Sequence, residues 1–246
     1  MKLIAIPARY DSKRLPGKPL ILLCGKPIIQ WVYEKAEASK RKDKVIIATD
    51  DERIMGLARS FGAEVVMTDR NISSGTERIY EATKNTDANI IVNLQGDEPF
   101  MDPSLIDILF DYMEKSDDEM ATLCTPISGD YEYKSPDSVK VVLDKRGYAL
   151  YFSRSPIPYV RNRNQVKIYK HIGIYAYRKS FLSSYVSMEK GVLEETESLE
   201  QLRVLENGFK IKVLITNYCG FGIDTKEDLR KAQEILSSSS RIFSKP

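Results

Sequence analysis

An α/β fold with a mostly parallel sheet and a hairpin-rich insertion follows from two features of the sequence. Short apolar runs at residues 3–6, 45–48, 64–67 and 90–94 alternate with segments of helical periodicity at 28–38, 52–61, 75–83 and 105–113. That alternation is the mark of βαβ units and a parallel sheet. Beyond residue 120 the pattern changes. Runs at 139–143 and 148–153 flank the turn-forming stretch 144–147, which reads as an antiparallel hairpin. With no Pro/Gly/Ser linker and no internal repeat, the chain reads as a single domain, 1–246, with 125–180 as an inserted subregion.

Taken in order, the first strand, 3–6, is bounded by Pro7 and opens into a loop carrying Arg9, Lys13, Arg14 and Lys18. Pro7, Pro16 and Pro19 stiffen that loop, and Gly17 lets its backbone approach a ligand. Arginine as a planar fork and lysine as a point charge suit a polyanion. A solvated basic loop with no ligand is the plain alternative. Asp50 or Asp51 can cap the helix 52–61, and Gly62 closes it. The loop 95–99 follows the fourth strand. Later elements are strands at 120–126, 172–177 and 210–215, a helix at 198–206 with Gly208 at its end, and a last helix from Asp224 or Thr225 to 236. The stretch 162–167 reads as a polar loop and the tail from Ser237 as frayed. In parallel sheets ligands bind beyond the carboxyl ends of strands. The loops 7–18, 49–50, 73–78 and 95–99 are therefore expected to converge.

Composition narrows the function classes. The chain of 246 residues is 42% hydrophobic and 29% charged, which fits a globular protein rather than a disordered one. A net charge of only +2 gives no basic stripe for nucleic acid. Cys24, Cys124 and Cys219 are odd in number and form no CxxC pair, which points to a reducing compartment. The first apolar run is cut off by Pro7, short of a signal segment, and no run approaches a membrane span. The expectation is a cytoplasmic protein without membrane insertion. A P-loop, a GxGxxG fingerprint and an HExxH zinc motif are all absent from the sequence.

Single residues each have a structural and a chemical reading. Asp97 ends a buried strand, where a carboxylate can hold Mg²⁺ together with substrate phosphates, or it is a turn residue before Pro99. Asp224 can serve the same metal, or it caps a helix with Glu227 three residues on. Taken singly, the structural reading of each is the stronger. His171, the only histidine, reads as a strand-end residue with a satisfied hydrogen bond. Ser198 and Gln201 form a capping-box pattern, and Arg154 reads as a surface arginine.

Read together, the segments IPARYDSKRLPGKPL (6–20), SSGTERI (73–79), NLQGDEP (93–99), ALYFSRSPIPY (149–159), KHIGIYAY (170–177), LEQLRVLENG (199–208) and GIDTKEDL (222–229) resemble the 3-deoxy-manno-octulosonate (Kdo) cytidylyltransferases. The chain departs at Ser73, where the family often has Gln, and at Lys226, where it often has Pro. The resemblance implies a Rossmann-like three-layer nucleotidyltransferase fold and a reaction of CTP with Kdo that gives CMP-Kdo and pyrophosphate for lipopolysaccharide synthesis. It implies Pro7, Ala8, Arg9, Ser74 and Gln95 around the nucleotide, with Arg9, Arg14 and Lys18 on the triphosphate. Asp97 and Asp224 would hold Mg²⁺, with Lys18, Asp97, Asp224 and Arg9 as the catalytic set. Arg78, Gln95, Arg154, His171, Tyr175, Glu200 and Gln201 would surround the sugar. A homodimer is implied, with the 125–180 insertion as its interface. A cytidylyltransferase for a related acid sugar, an 8-amino Kdo analogue or a sialate, is the neighbouring alternative.

Overall fold

A computed structural model describes residues 1–12, 14–72, 74–162 and 167–243. In chain order the elements are β1 (Lys2–Ala8), a 3-10 turn (Lys18–Leu20), β2 (Leu22–Leu23), β3 (Lys26–Pro27), α1 (Ile28–Glu37), β4 (Lys44–Thr49), α2 (Glu52–Ser60), β5 (Glu64–Met67), α3 (Gly75–Thr83), β6 (Ile90–Asn93), α4 (Pro103–Lys115), β7 (Met120–Pro126), α5 (Asp130–Lys134), β8 (Lys140–Leu143), β9 (Ala149–Ser153), β10 (Tyr169–Arg178), α6 (Lys179–Ser187), α7 (Val192–Glu197), α8 (Leu202–Glu206), β11 (Lys212–Ile215) and α9 (Lys226–Phe243). They fall into two compact units. The first holds Met1–Ala88, Asn93–Asp107 and the described part of Gly220–Pro246; the second holds Asn89–Val92 and Ile108–Cys219.

In the first unit β1, β4 and β5 run parallel, with Leu3 beside Lys44 and Ile46 beside Glu64. Leu3, Ile4, Ala5, Ile6, Ile46, Ile47 and Ala48 are all buried, as continuous apolar strands of a covered parallel sheet should be. The helices follow their local chemistry. Asp51 accepts from the Arg53 N–H to start α2, and Gly62 ends it at φ +87°. Ser74 accepts from the Glu77 N–H to start α3. Pro7 lies inside β1 beside Ala48 rather than bounding it. The hairpin β2–β3 was not legible as such. Its turn is Cys24-Gly25, both at positive φ, with cysteine where asparagine is usual.

In the second unit the strand order is β11-β7-β10-β6. β11 is parallel to β7 and β10 antiparallel to it. The expected hairpin is present, as β8 and β9 pair antiparallel. The expected helix over 198–206 forms only in its second half, as α8 (Leu202–Glu206). Ser198 adopts a left-handed conformation, φ 52°, as the C-cap of α7, and Gln201 makes no capping bond before α8. The capping-box pattern fails because the Glu197 and Ser198 carbonyls serve Arg154, donating from Nε and Nη2, and the chain reverses there. The last helix runs on to Phe243, past the expected end at 236. Ser73, the core of the polar loop (163–166) and the tail 244–246 lie outside the described residues. Among the described residues no helix is long and apolar enough to cross a membrane.

A buried ion pair holds the α7–α8 turn. Arg203 donates from Nε to Glu194 Oε2 at 2.6 Å and from Nη2 to Oε1 at 2.7 Å, and both side chains are almost wholly buried. Removing one partner strands the other charge in a low dielectric. Arg203→Met should lower the unfolding free energy by about 3–5 kcal/mol in urea titration. Arg203→Met combined with Glu194→Met should recover much of that loss; a double variant no more stable than the single would contradict the account.

Candidate active site

The first unit gathers four charged side chains. Lys18 follows Gly17, whose positive φ of 67° and close approach to the Tyr10 ring (3.1 Å from an added Cβ) leave room for glycine alone. Tyr10 O accepts from the Gly17 N–H at 2.9 Å, closing the loop on itself. The Arg53 guanidinium covers the Tyr10 ring at 3.4 Å. Lys18 is thereby turned inward, its side chain 13% exposed. Its ammonium donates to Asp97 Oδ2 at 2.5 Å and Asp224 Oδ1 at 2.9 Å. Arg14 Nη2 takes the other Asp224 oxygen at 2.8 Å. Burial, the largest influence on the Lys18 ammonium, pulls its pKa down, but the two carboxylates outweigh it and the net shift is upward.

The two carboxylates are brought together by backbone. An added Cβ on Gly96 would stand 2.7 Å from Pro7 O, so the loop at Gly96 passes the Pro7 carbonyl closer than any side chain permits. Asp97 O accepts from the Ile223 N–H at 2.8 Å, which draws residues 222–224 alongside. The cap of α9 is not Asp224 with Glu227. Thr225 Oγ1 accepts from the Asp228 N–H, and Asp228 Oδ2 accepts from the Thr225 N–H. Glu227 pairs with Arg230 instead. Asp224 is therefore left to Lys18 and Arg14, and Asp97 is more than a turn residue. Lys226 occupies the first position of α9, a place proline fills readily.

A second group lies in the same unit. A Cβ on Gly75 would lie 3.5 Å from Pro7 Cγ and 3.8 Å from Gln95 Oε1. Gln95 donates from Nε2 to Asn93 Oδ1 at 2.9 Å. Pro7, Ser74 and Gln95 thus assemble as expected; Ala8 is buried at the end of β1. Arg78 is fully buried. Its Nη2 donates to Asp50 Oδ2 at 2.8 Å and to Ile72 O at 3.2 Å, and its Nη1 to Thr68 Oγ1. Burial lowers its pKa, Asp50 opposes this, and the neighbouring Arg9 charge lowers it further.

The other expected residues lie in the second unit. His171 is the third residue of β10, in its interior rather than at a strand end, packed on Phe152 and Tyr175 at ring distances of 5.0 and 5.3 Å. Thr122 Oγ1 stands 3.0 Å from His171 Nε2 and donates its only proton to Ile174 O at 2.7 Å. By that count Nε2 carries the ring proton and donates to Thr122. Burial alone brings the His171 pKa down to about 3, so the ring is neutral at physiological pH. Burial also raises the Tyr175 phenol well above its usual range. Gln201 is buried, and among the described residues its Nε2 has no partner. Glu200 O accepts from the Tyr185 hydroxyl. Arg154 is no free surface arginine, since three main-chain carbonyls hold its guanidinium.

Sequence reasoning missed Asn93, Thr122, Lys140 and Glu197. Their roles depend on partners far along the chain, and only Asn93, inside the NLQGDEP segment, left a local trace. Among the described residues no cluster of three or more His, Cys, Asp or Glu side chains could hold a metal. Two hard carboxylates already sharing one cation do fit Mg²⁺, which takes one or two carboxylates and completes its shell with phosphates and water.

A parallel βαβ core with a basic loop and two gathered carboxylates beyond its strand ends defines an α/β nucleotidyltransferase. A family described as Cytidylyltransferase matches residues 3–211, and the chain belongs to that family. The 3-deoxy-manno-octulosonate cytidylyltransferase of Thermodesulfovibrio yellowstonii is 49% identical over 249 residues, covering 96% of this chain and 98% of that protein. The 8-amino-3,8-dideoxy-manno-octulosonate cytidylyltransferase of Shewanella baltica is 44% identical, covering 95% and 98%. A solved structure of CMP:2-keto-3-deoxy-manno-octonic acid synthetase complexed with CTP is 43% identical with a TM-score of 0.93, covering 97% of this chain and 99% of that one.

The His171 shift has a consequence for stability. The unfolded chain protonates this histidine below about pH 6.5, while the folded chain resists until about 3. The unfolded state binds the extra proton, so the contribution is full above pH 6.5 and is lost as pH falls toward 3. Between pH 6 and 4 the wild type should lose about 1.4 kcal/mol per pH unit more than His171→Asn. Parallel stability curves in denaturant titrations would refute this.

Proposed function

We propose that this cytidylyltransferase transfers CMP from CTP to the anomeric hydroxyl of Kdo and releases pyrophosphate. The observation that carries the reading is the Lys18 ammonium bridging Asp97 and Asp224, with Arg14 on the same carboxylate. The 49% identity to a Kdo enzyme along nearly the whole chain supports the sugar assignment over the 8-amino analogue, whose enzyme is 44% identical.

The chain's own groups fit in-line attack on the α-phosphate. Arg9, Arg14 and Lys18 bind the triphosphate, each charged hydrogen bond contributing roughly 1.5–3 kcal/mol. Pro7, Ala8, Ser74 and Gln95 accept the nucleoside, with Gln95 oriented by Asn93. With Lys18 and Arg14 on phosphate, Asp97 and Asp224 would be the residues to hold Mg²⁺, which would supply charge neutralisation and acidify the attacking hydroxyl. In the first unit Arg78 and Gln95, and in the second Arg154, His171, Tyr175, Glu200 and Gln201, are assigned to the acid sugar. His171 is neutral with its one ring N–H committed to Thr122, so toward the sugar it offers an acceptor nitrogen and is not a proton carrier. No side chain needs to act as nucleophile, and positioning with charge stabilisation does the work. Cytoplasmic location, a homodimer through residues 125–180 and a place in lipopolysaccharide synthesis belong to the same reading.

Pyrophosphate release with Mg²⁺, CTP and Kdo tests it, beside 8-amino Kdo and a sialate. Turnover should be highest with Kdo, and Asp97→Asn should reduce it by at least about 100-fold. Preference for another sugar would move the error to the sugar-binding residues, and silence with all three would overturn the reading.

A further inference from the structure

Lys140 is a fully buried lysine that the proposed mechanism does not use. A buried ammonium is tolerated only when its donors are satisfied. All three are satisfied by carbonyls, those of Arg154 at 2.5 Å, Ser138 at 2.5 Å and Ser135 at 2.8 Å. Among the described residues it forms no ion pair. Its three bonds tie β8 to the loop before it and to the peptide that leaves β9.

Glu197 grips the preceding peptide, between Ser153 and Arg154. Its Oε2 accepts from the Arg154 N–H at 2.9 Å, and its Oε1 accepts from the Ser153 hydroxyl at 2.5 Å. The carbonyl of Arg154 is thus held by a buried cation and its N–H by an anion. The same two segments hold the side chain. Arg154 donates from Nε to Glu197 O at 2.9 Å and from Nη1 to Pro136 O at 3.1 Å, within the loop that Lys140 pins. Carbonyls fix the guanidinium without neutralising it. With Lys140 and Arg154 positive and Glu197 negative, the cluster keeps one net positive charge. A rigid, uncompensated guanidinium is built to receive a carboxylate.

We propose that Lys140 and Glu197 are positioning residues that fix Arg154 as the receptor for the carboxylate of the acid sugar. This rests on the reading of the chain as an acid-sugar cytidylyltransferase. A residue acting through Arg154 should matter only while Arg154 is present, which a double-mutant cycle resolves.

The test is steady-state kinetics of Lys140→Met, Glu197→Gln, Arg154→Ala and the two doubles, with thermal melts alongside. Each single variant should raise KM for Kdo by about 10- to 100-fold, with KM for CTP within twofold of wild type. Each double should be no worse than Arg154→Ala alone. Should Lys140→Met fail to fold, Glu197→Gln, which keeps the side chain's shape and one acceptor oxygen, decides the matter. Unchanged KM for Kdo, equal losses for CTP and Kdo, or effects that multiply with Arg154→Ala would overturn the proposal while wild-type turnover of Kdo left the reaction intact. A wild type inert toward Kdo would overturn the reaction itself, and this proposal with it.

Discussion

The ammonium of Lys18 lies between two carboxylates that come from separate segments of the first unit, and the site is arranged around that contact. Two carboxylates side by side repel each other, so their approach requires a cation. Lys18 and Arg14 supply two positive charges to the two negative ones, and the cluster is neutral as it stands. That balance is also what makes it responsive. A triphosphate competes for the same two cations with far more negative charge. Every contact they transfer to phosphate exposes a carboxylate that then favours a divalent ion. On the proposed reading nucleotide and metal would be coupled through the side chains they exchange, and thermodynamic linkage would make that coupling reciprocal.

Backbone geometry makes the contact possible. Gly96 lets its loop lie against the Pro7 carbonyl, and Gly17 turns the basic loop back over Tyr10 so that Lys18 points inward. The reciprocal cap of Thr225 and Asp228 starts α9 without drawing on Asp224. The second unit shows the opposite economy of charge. Arg203 and Glu194 neutralise each other fully, whereas carbonyls hold the Arg154 guanidinium and leave its charge in place.

Much of this was legible in the sequence. Strand and helix alternation declared itself through apolar runs, because both faces of a parallel sheet are covered. The charged loop after β1 and the carboxylate after β6 stood out for their place in that pattern. What stayed hidden depended on partners distant in the chain. Asp224 resembled a cap because Glu227 follows at the right spacing, yet Asp228 makes the cap. Ser198 and Gln201 matched a capping box, yet the demand of Arg154 for carbonyls reverses the chain at Ser198. The hairpin turn Cys24-Gly25 lacks the usual asparagine. Lys140 lies in the run 139–143, where nothing local announces that three carbonyls will surround it.

The most direct measurement is Mn²⁺ binding followed by electron paramagnetic resonance, with and without a non-hydrolysable CTP analogue, in the wild type and Lys18→Met. The account predicts weak binding to the free wild type and at least about tenfold tightening with the nucleotide analogue, a coupling of ordinary allosteric size. It also predicts that Lys18→Met, with its carboxylates released, binds Mn²⁺ alone more tightly than wild type and gains less from the analogue. Equal Mn²⁺ affinity in all four conditions would show that Lys18 does not hold the metal carboxylates in reserve, and would contradict the account.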